Sequence, residues 1–238
     1  FGHSIITPLP AMAPVTIRDT WVGQLAGVSL KDSKLILDLG GRKRFETQGE
    51  LVFTHEGISG PVALDIASDV AAACMEASGA VTVSLQIKPN WGLREWISEI
   101  TAWRASDAKR LVRSALAKHV PHSLADALCK LASCPDVPCC ELKAADRDKL
   151  ATILAATPLH ASGAGPMDKA MAMRGGISLK EIEPKTLESR LVPGLFFAGE
   201  IIDLVGPCGG YNIQWAFSSG RLAGLSAAEK ALTQASKQ

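Results

Sequence analysis

The residues best suited to chemistry in this sequence form one run near its end, Gly194-Leu-Phe-Phe-Ala-Gly-Glu-Ile-Ile-Asp203, then Leu204-Val-Gly-Pro-Cys-Gly-Gly-Tyr-Asn-Ile-Gln214. The apolar stretch Leu195 to Ala198 predicts a short strand of the kind buried in a parallel sheet. Gly199-Glu200 then places a carboxylate at that strand's carboxyl end, where open α/β sheets bind their ligands. A carboxylate there accepts hydrogen bonds from sugar or ribityl hydroxyls, Gly199 admits a ligand close to the backbone, and Asp203 serves the same group or caps the loop. Gly209-Gly210 leads into a helix predicted from about Asn212 to Leu232. Its first N–H groups lack intrahelical partners and carry partial positive charge. Such an end suits a phosphate or the anionic edge of a reduced flavin ring. The loop lacks the spaced glycines of a pyrophosphate cradle, which favours the ring. Gly-Gly alone is an ordinary loop and Gly-Glu alone an ordinary strand end; the two in order, at this spacing, carry the reading.

Three textures must position these residues. From about Val15 to Pro89 the chain is strand-like: Ser33 to Leu39 alternates, Gly40-Gly41 supplies a turn, and Arg42 to Thr47 returns as the second arm of a hairpin. Val81, Val83, Leu85 and Ile87 alternate on one face of another strand. Between them Pro61 suits the first turn of a helix running to about Glu76. From about Gly92 to Leu159 apolar residues recur at three and four, as in Leu93, Trp96, Ile97 and Ile100. A helix is predicted over Asp107 to Lys118, stopped by Pro121, and another over Asp146 to Ala156, for a bundle of four or so. From about Gly163 a third texture holds Gly175-Gly176, read as a turn, and the run described above. His3 to Pro14, with three prolines and no periodicity, reads as a connector.

Other candidates read as structural. The six cysteines include Cys134, Cys139 and Cys140, but no His follows at a ligand spacing, so reduced structural thiols are expected. His119 and His122 are separated by Pro121, which interrupts the helical spacing a metal pair needs. His55 and Glu56 precede a helix start and are candidates for acid–base work, with a loop role preferred; no catalytic residue is assigned. Lys and Arg number 25 against 24 Asp and Glu, a net charge of +1, so no nucleic-acid or anionic-membrane partner is expected. Arg42-Lys43-Arg44 reads as a solvated hairpin tip. No apolar stretch approaches the about 20 residues needed to cross a bilayer, and no export signal is visible, so a cytoplasmic location is expected.

The closing run resembles that of the BaiN/YhiN-type flavoproteins, whose pattern is G-L-Y/F-F-A-G-E, two hydrophobics and D, then a G-G-Y-N-hydrophobic-Q helix start. The likeness runs nearly residue by residue from Gly194 to Gly224. It is supported by Gly2-His3-Ser4-Ile5, by Gly49 to Pro61, and by Gly175-Gly176-Ile177 before Glu181-Ile182. Met173 and Arg174 depart from it, standing where the family has Val-Thr-type residues. The resemblance implies an α+β, multidomain chain: a connector from the FAD domain (1–14), a strand-rich barrel-like insert (15–90), a helical subdomain (91–162), and the C-terminal piece of a Rossmann-like FAD-binding domain (163–238). It implies an FAD-dependent oxidoreductase that passes hydride through flavin N5 to a small-molecule substrate, with NAD(P)H as a candidate reductant. Gly199, Glu200 and Asp203 would face the ribityl and pyrophosphate end, and Gly209, Gly210, Tyr211, Asn212, Ile213 and Gln214 would present N–H groups to the flavin. A G-x-G-x-x-G turn is not found, so the pyrophosphate and adenine contacts are expected outside this sequence. The chain alone is then expected to be inactive, with residues 166–238 rearranged or self-associated. The alternative is a non-catalytic ligand- or protein-binding module built from the insert.

Overall fold

The computed structural model describes residues 1–40 and 44–236. Its strands are β1 Ile5–Ala11, β2 Val15–Ile17, β3 Ser29–Asp38, β4 Arg44–Phe53, β5 Gly57–Ser59, β6 Val81–Gln86, β7 Thr157–Ala164 and β8 Ala172–Ile177. Its helices are α1 Thr20–Gly23, α2 Pro61–Glu76, α3 Leu93–Ser106, α4 Val112–Leu116, α5 His122–Leu131, α6 Ala144–Ala155 and α7 Tyr211–Ala235. Two compact units result, one of residues 14–164 and one of residues 1–13 with 165–238. The fold is α+β.

In the first unit, β2-β5-β4-β3-β6-β7 close into a six-stranded barrel in which every pairing is antiparallel. Alternation sends Leu35, Leu37, Leu51, Phe53, Val83, Leu85 and Leu159 inward, all fully buried. Helix α2 packs against each of the six strands, and Val62, Ala63, Ile66, Ala67 and Val70 complete the core. Pro61 stands at the start of α2 as its sequence position predicts. The glycines of the Gly49–Pro61 run do packing work. A Cβ on Gly57 would lie 2.1 Å from the Val15 carbonyl oxygen where β2 meets β5, and one on Gly60, at φ +88°, would lie 2.6 Å from that of Glu50. His55 and Glu56 are exposed in the bend between β4 and β5. The predicted hairpin forms between β3 and β4, while Arg42 and Lys43 lie outside the described residues. Helices α3 to α6 lie in the chain between the barrel strands β6 and β7. The helix predicted over Asp107 to Lys118 contracts to α4, because this stretch pairs instead with the segment before α6: Cys140 N–H donates to Ala108, Cys139 N–H to Arg110 and Val112 N–H to Val137.

In the second unit the stretch read as a connector is a strand. β1 pairs antiparallel with β8 despite its prolines, with a register shift between Ile6 and Leu9. Gly175-Gly176 is therefore no turn but part of β8, at φ +101° and +120°. A Cβ on Gly176 would meet the Ile201 oxygen at 2.3 Å, so close approach demands glycine there. Leu195 to Ala198 is likewise not a regular strand: among the described residues its ladder contact is one antiparallel bridge, Glu188 to Phe196. Its apolar side chains go instead into a small core, where Leu195, Phe196 and Ala198 pack against Ile177, Ile182, Phe197 and Ile202. Helix α7 buries only Ser219 and Ala223 and leaves Ile213, Phe217, Leu225 and Leu232 exposed.

Candidate functional site

The first turn of α7 is held open by its own loop. Gly210, at φ 88° and ψ 0°, occupies the N-cap position in a left-handed conformation and has no side chain to cap the helix. Gln214 N–H makes the first bond back, to the Gly210 oxygen at 2.9 Å, so the N–H groups of Tyr211, Asn212 and Ile213 have no acceptor within the helix. The Asn212 side chain fixes the approach: its Oδ1 accepts from Gly206 N–H at 2.7 Å and its Nδ2 donates to the Gly206 oxygen at 3.0 Å. Gly206 thereby sits so near the helix that a Cβ on it would lie 2.8 Å from Tyr211 Cβ. A second clamp holds Gly199. Its N–H donates to Ser219 Oγ at 2.9 Å, and its oxygen accepts from Trp215 Nε1 at 3.1 Å. That clamp sets the exposed Glu200 beside the helix start.

A cavity of about 500 Å³ opens at this end of α7, lined by Glu200, Gly210, Asn212, Ile213, Ala216 and Phe217, with Met12 and Met171. Glu200 is the one charged residue in that lining. Positive character at this cavity comes from the helix end itself. Of the residues singled out in the sequence, Glu200, Gly210, Asn212 and Ile213 meet at this cavity, and Gly199 supports it. Gly209, at φ +122°, lies against the ring of the exposed Tyr211. Gln214 is spent along the helix on Ser218. Asp203 is not in the lining: its Oδ1 accepts from Gly175 N–H at 3.1 Å and its N–H donates to Ile177. Met12, Met171, Ala216 and Phe217 were not singled out in the sequence. Phe217 stands four residues beyond Ile213 on the same helical face and so carried a signal; the methionines did not, because they flank a β1–β8 pairing that has no periodic pattern.

The residues present fit a flavin ring. An uncapped helix end faces space walled by Met, Ile, Ala and Phe, which combines N–H donors for a polar ring edge with apolar surface for a flat aromatic face.

The barrel-and-helix unit holds a different polar cluster. His119 places Nε2 3.0 Å from Glu99 Oε1 and Nδ1 2.8 Å from Lys88 Nζ. Trp103 Nε1 also donates to Glu99, and Lys88 lies 3.7 Å above the Trp91 ring. Burial first, and the Lys88 charge second, hold the His119 imidazole below its ordinary value, with Glu99 opposing. With both His119 nitrogens engaged, the His119–His122 metal reading has no support. Among the described residues no group of three or more His, Cys, Asp or Glu could hold a metal ion, and no helix is long and apolar enough to cross a membrane.

The match to known proteins follows this architecture. Residues 9–172 match the model of the HI0933-like protein barrel and H2TH domain, and the chain belongs to the HI0933-like family. It is similar to a ribosomal RNA dihydrouridine synthase of Escherichia coli, 31% identical over 92% of this chain and 52% of that protein. It is also similar to a ribosomal RNA dihydrouridine synthase of Haemophilus influenzae, at 30% over 95% and 53%. A 3-dehydro-bile acid delta(4,6)-reductase of Clostridium scindens is 30% identical over 96% of this chain and 56% of its own length. The chain thus spans about half the length of these curated relatives, all of which are named as enzymes.

Proposed function

We infer that this chain contributes the barrel, the helical block and the flavin-facing part of an FAD-dependent reductase. The observation that carries this reading is the uncapped start of α7 opening on an apolar-walled cavity beside Glu200. The N–H groups of Tyr211, Asn212 and Ile213 hold the polar edge of the ring and favour negative charge there. Gly210 keeps that end free of a competing side chain. Ile213, Ala216, Phe217 and the two methionines cover the ring face and exclude water. Glu200 accepts from ribityl hydroxyls, and Asp203 acts indirectly, by fastening the 199–203 turn to β8. Bound FAD supplies hydride transfer through its N5. The remaining FAD contacts fall to a Rossmann-like dinucleotide-binding part, of which residues 163–238 form the closing piece, and NAD(P)H is the proposed reductant.

The names of the relatives point to a shared reaction. A dihydrouridine synthase and a delta(4,6)-reductase both saturate carbon–carbon double bonds, one in ribosomal RNA and one in a bile acid. We carry over that common step, reduction of a conjugated C=C bond. A small-molecule substrate agrees with the charge balance of +1. The test is anaerobic: natural protein reduced with NADPH or NADH is offered a conjugated enone in one arm and uridine-containing RNA in the other. Reoxidation of the flavin in either arm supports the reductase reading and names the substrate class. Flavin that neither reductant bleaches contradicts it.

A further inference from the structure

The end of α5 brings two thiols together. Ser133 adopts φ +50°, Ser133 N–H donates to the Lys130 oxygen, and Cys134 N–H reaches back to the Cys129 oxygen at 2.9 Å. This paired pattern is the Schellman end of a helix, which sets the side chain of the third-last helical residue against that of the second residue past the cap. An apolar pair frequently occupies these two positions at such ends; here the two residues are Cys129 and Cys134. Both thiols line one cavity of about 280 Å³ with Arg113, Asp126, Lys130 and Asp136. Cys129 is 8% exposed and Cys134 is half-buried, and neither is in a disulfide. The geometry points to Cys129 and Cys134 as a thiol–disulfide exchange site that takes low-molecular-weight disulfides.

Their unequal exposure assigns the roles. Cys134, reachable from the cavity, is the attacking sulfur, and the interaction with Cys129 holds its thiol below the ordinary value, while burial, Asp146 and Asp136 oppose. The Cys134 thiolate attacks one sulfur of the small disulfide; that S–S bond breaks, one small thiol leaves, and a mixed disulfide forms. Cys129 then gives its proton to solvent and attacks the Cys134 sulfur, releasing the second small thiol. The protein loses two electrons and two protons, and the small disulfide is reduced to two thiols. The resulting bond clasps the end of α5 to the segment before Pro135.

Lys130 lies between the two cysteines, so trypsin places them in separate peptides unless they are joined. The chain is incubated with oxidised glutathione, the remaining thiols are alkylated, and the digest is mapped without reductant. The expected result is a peptide 119–130 linked to peptide 131–143 in monomeric protein, released by dithiothreitol. The link disappears in Cys134→Ser and persists in Cys140→Ser. Both cysteines staying alkylatable overturns the proposal. So does a glutathione adduct left at Cys134 with Cys129 unreacted, a link that survives Cys134→Ser, or a link found only in dimers.

Discussion

His119 sits between a cation and a carboxylate, and its burial makes the charged imidazole costly. The folded state therefore prefers the neutral form more than the unfolded chain does. When pH falls below the ordinary imidazole value of 6.5, the unfolded state takes up a proton that the folded state resists, and stability drops. Acid titration of the unfolding midpoint should show this loss setting in as pH falls below about 6.5, and His119→Gln should flatten it; an unchanged acid limb would refute the assignment. At the candidate site, Asn212→Ala leaves the Gly206 N–H and oxygen to water and should cost about 1 kcal/mol. It should also weaken flavin retention more than Gln214→Ala, which removes an amide that donates along the helix to Ser218. Equal retention by the two variants, measured as flavin absorbance per chain after gel filtration, would contradict the placement of Asn212.

At the scale of elements, barrel closure depends on glycine where β2 crosses β5. Gly57→Ala puts a methyl group into the Val15 carbonyl and should destabilise by about 3 kcal/mol, read as a lower thermal midpoint; a midpoint within error of the parent would rule this out. The same elements show what the sequence made legible. Helix α2 was readable from Pro61 and its apolar spacing, β6 from its alternation, and α7 from the glycine pair before it, because each is governed by local chemistry. The exceptions are governed by partners. β1 forms in spite of prolines because β8 offers a matching edge. Gly175-Gly176 extends because Ile201 passes too near for a side chain. The helix expected over Asp107 to Lys118 yields to backbone pairing with residues 137–140. An all-apolar run such as Leu195 to Ala198 announces burial, but not whether it is buried as a strand or as an irregular segment. For the site, the glycines and Glu200 were visible as types, whereas the methionine wall exists only through a strand pair that no periodicity announces.

At the scale of the molecule, residues 14–164 own a continuous core from Val15 through Trp96 and Leu128 to Ala161. Expressed alone, they should unfold in a single cooperative denaturant transition, whereas a gradual, non-cooperative loss of signal would show that this core is insufficient. The unit of 1–13 with 165–238 has a much smaller core and a long helix with exposed apolar residues. The start of that helix is the proposed flavin contact, and a visible spectrum of the purified natural protein tests it most directly. Flavin absorption that NADPH or NADH bleaches is expected, as is its loss in Gly210→Val, whose branched side chain is strained at φ 88°, with far-ultraviolet circular dichroism unchanged. A colourless natural protein that takes up no added FAD, or a Gly210→Val variant that keeps its flavin in full, would contradict it.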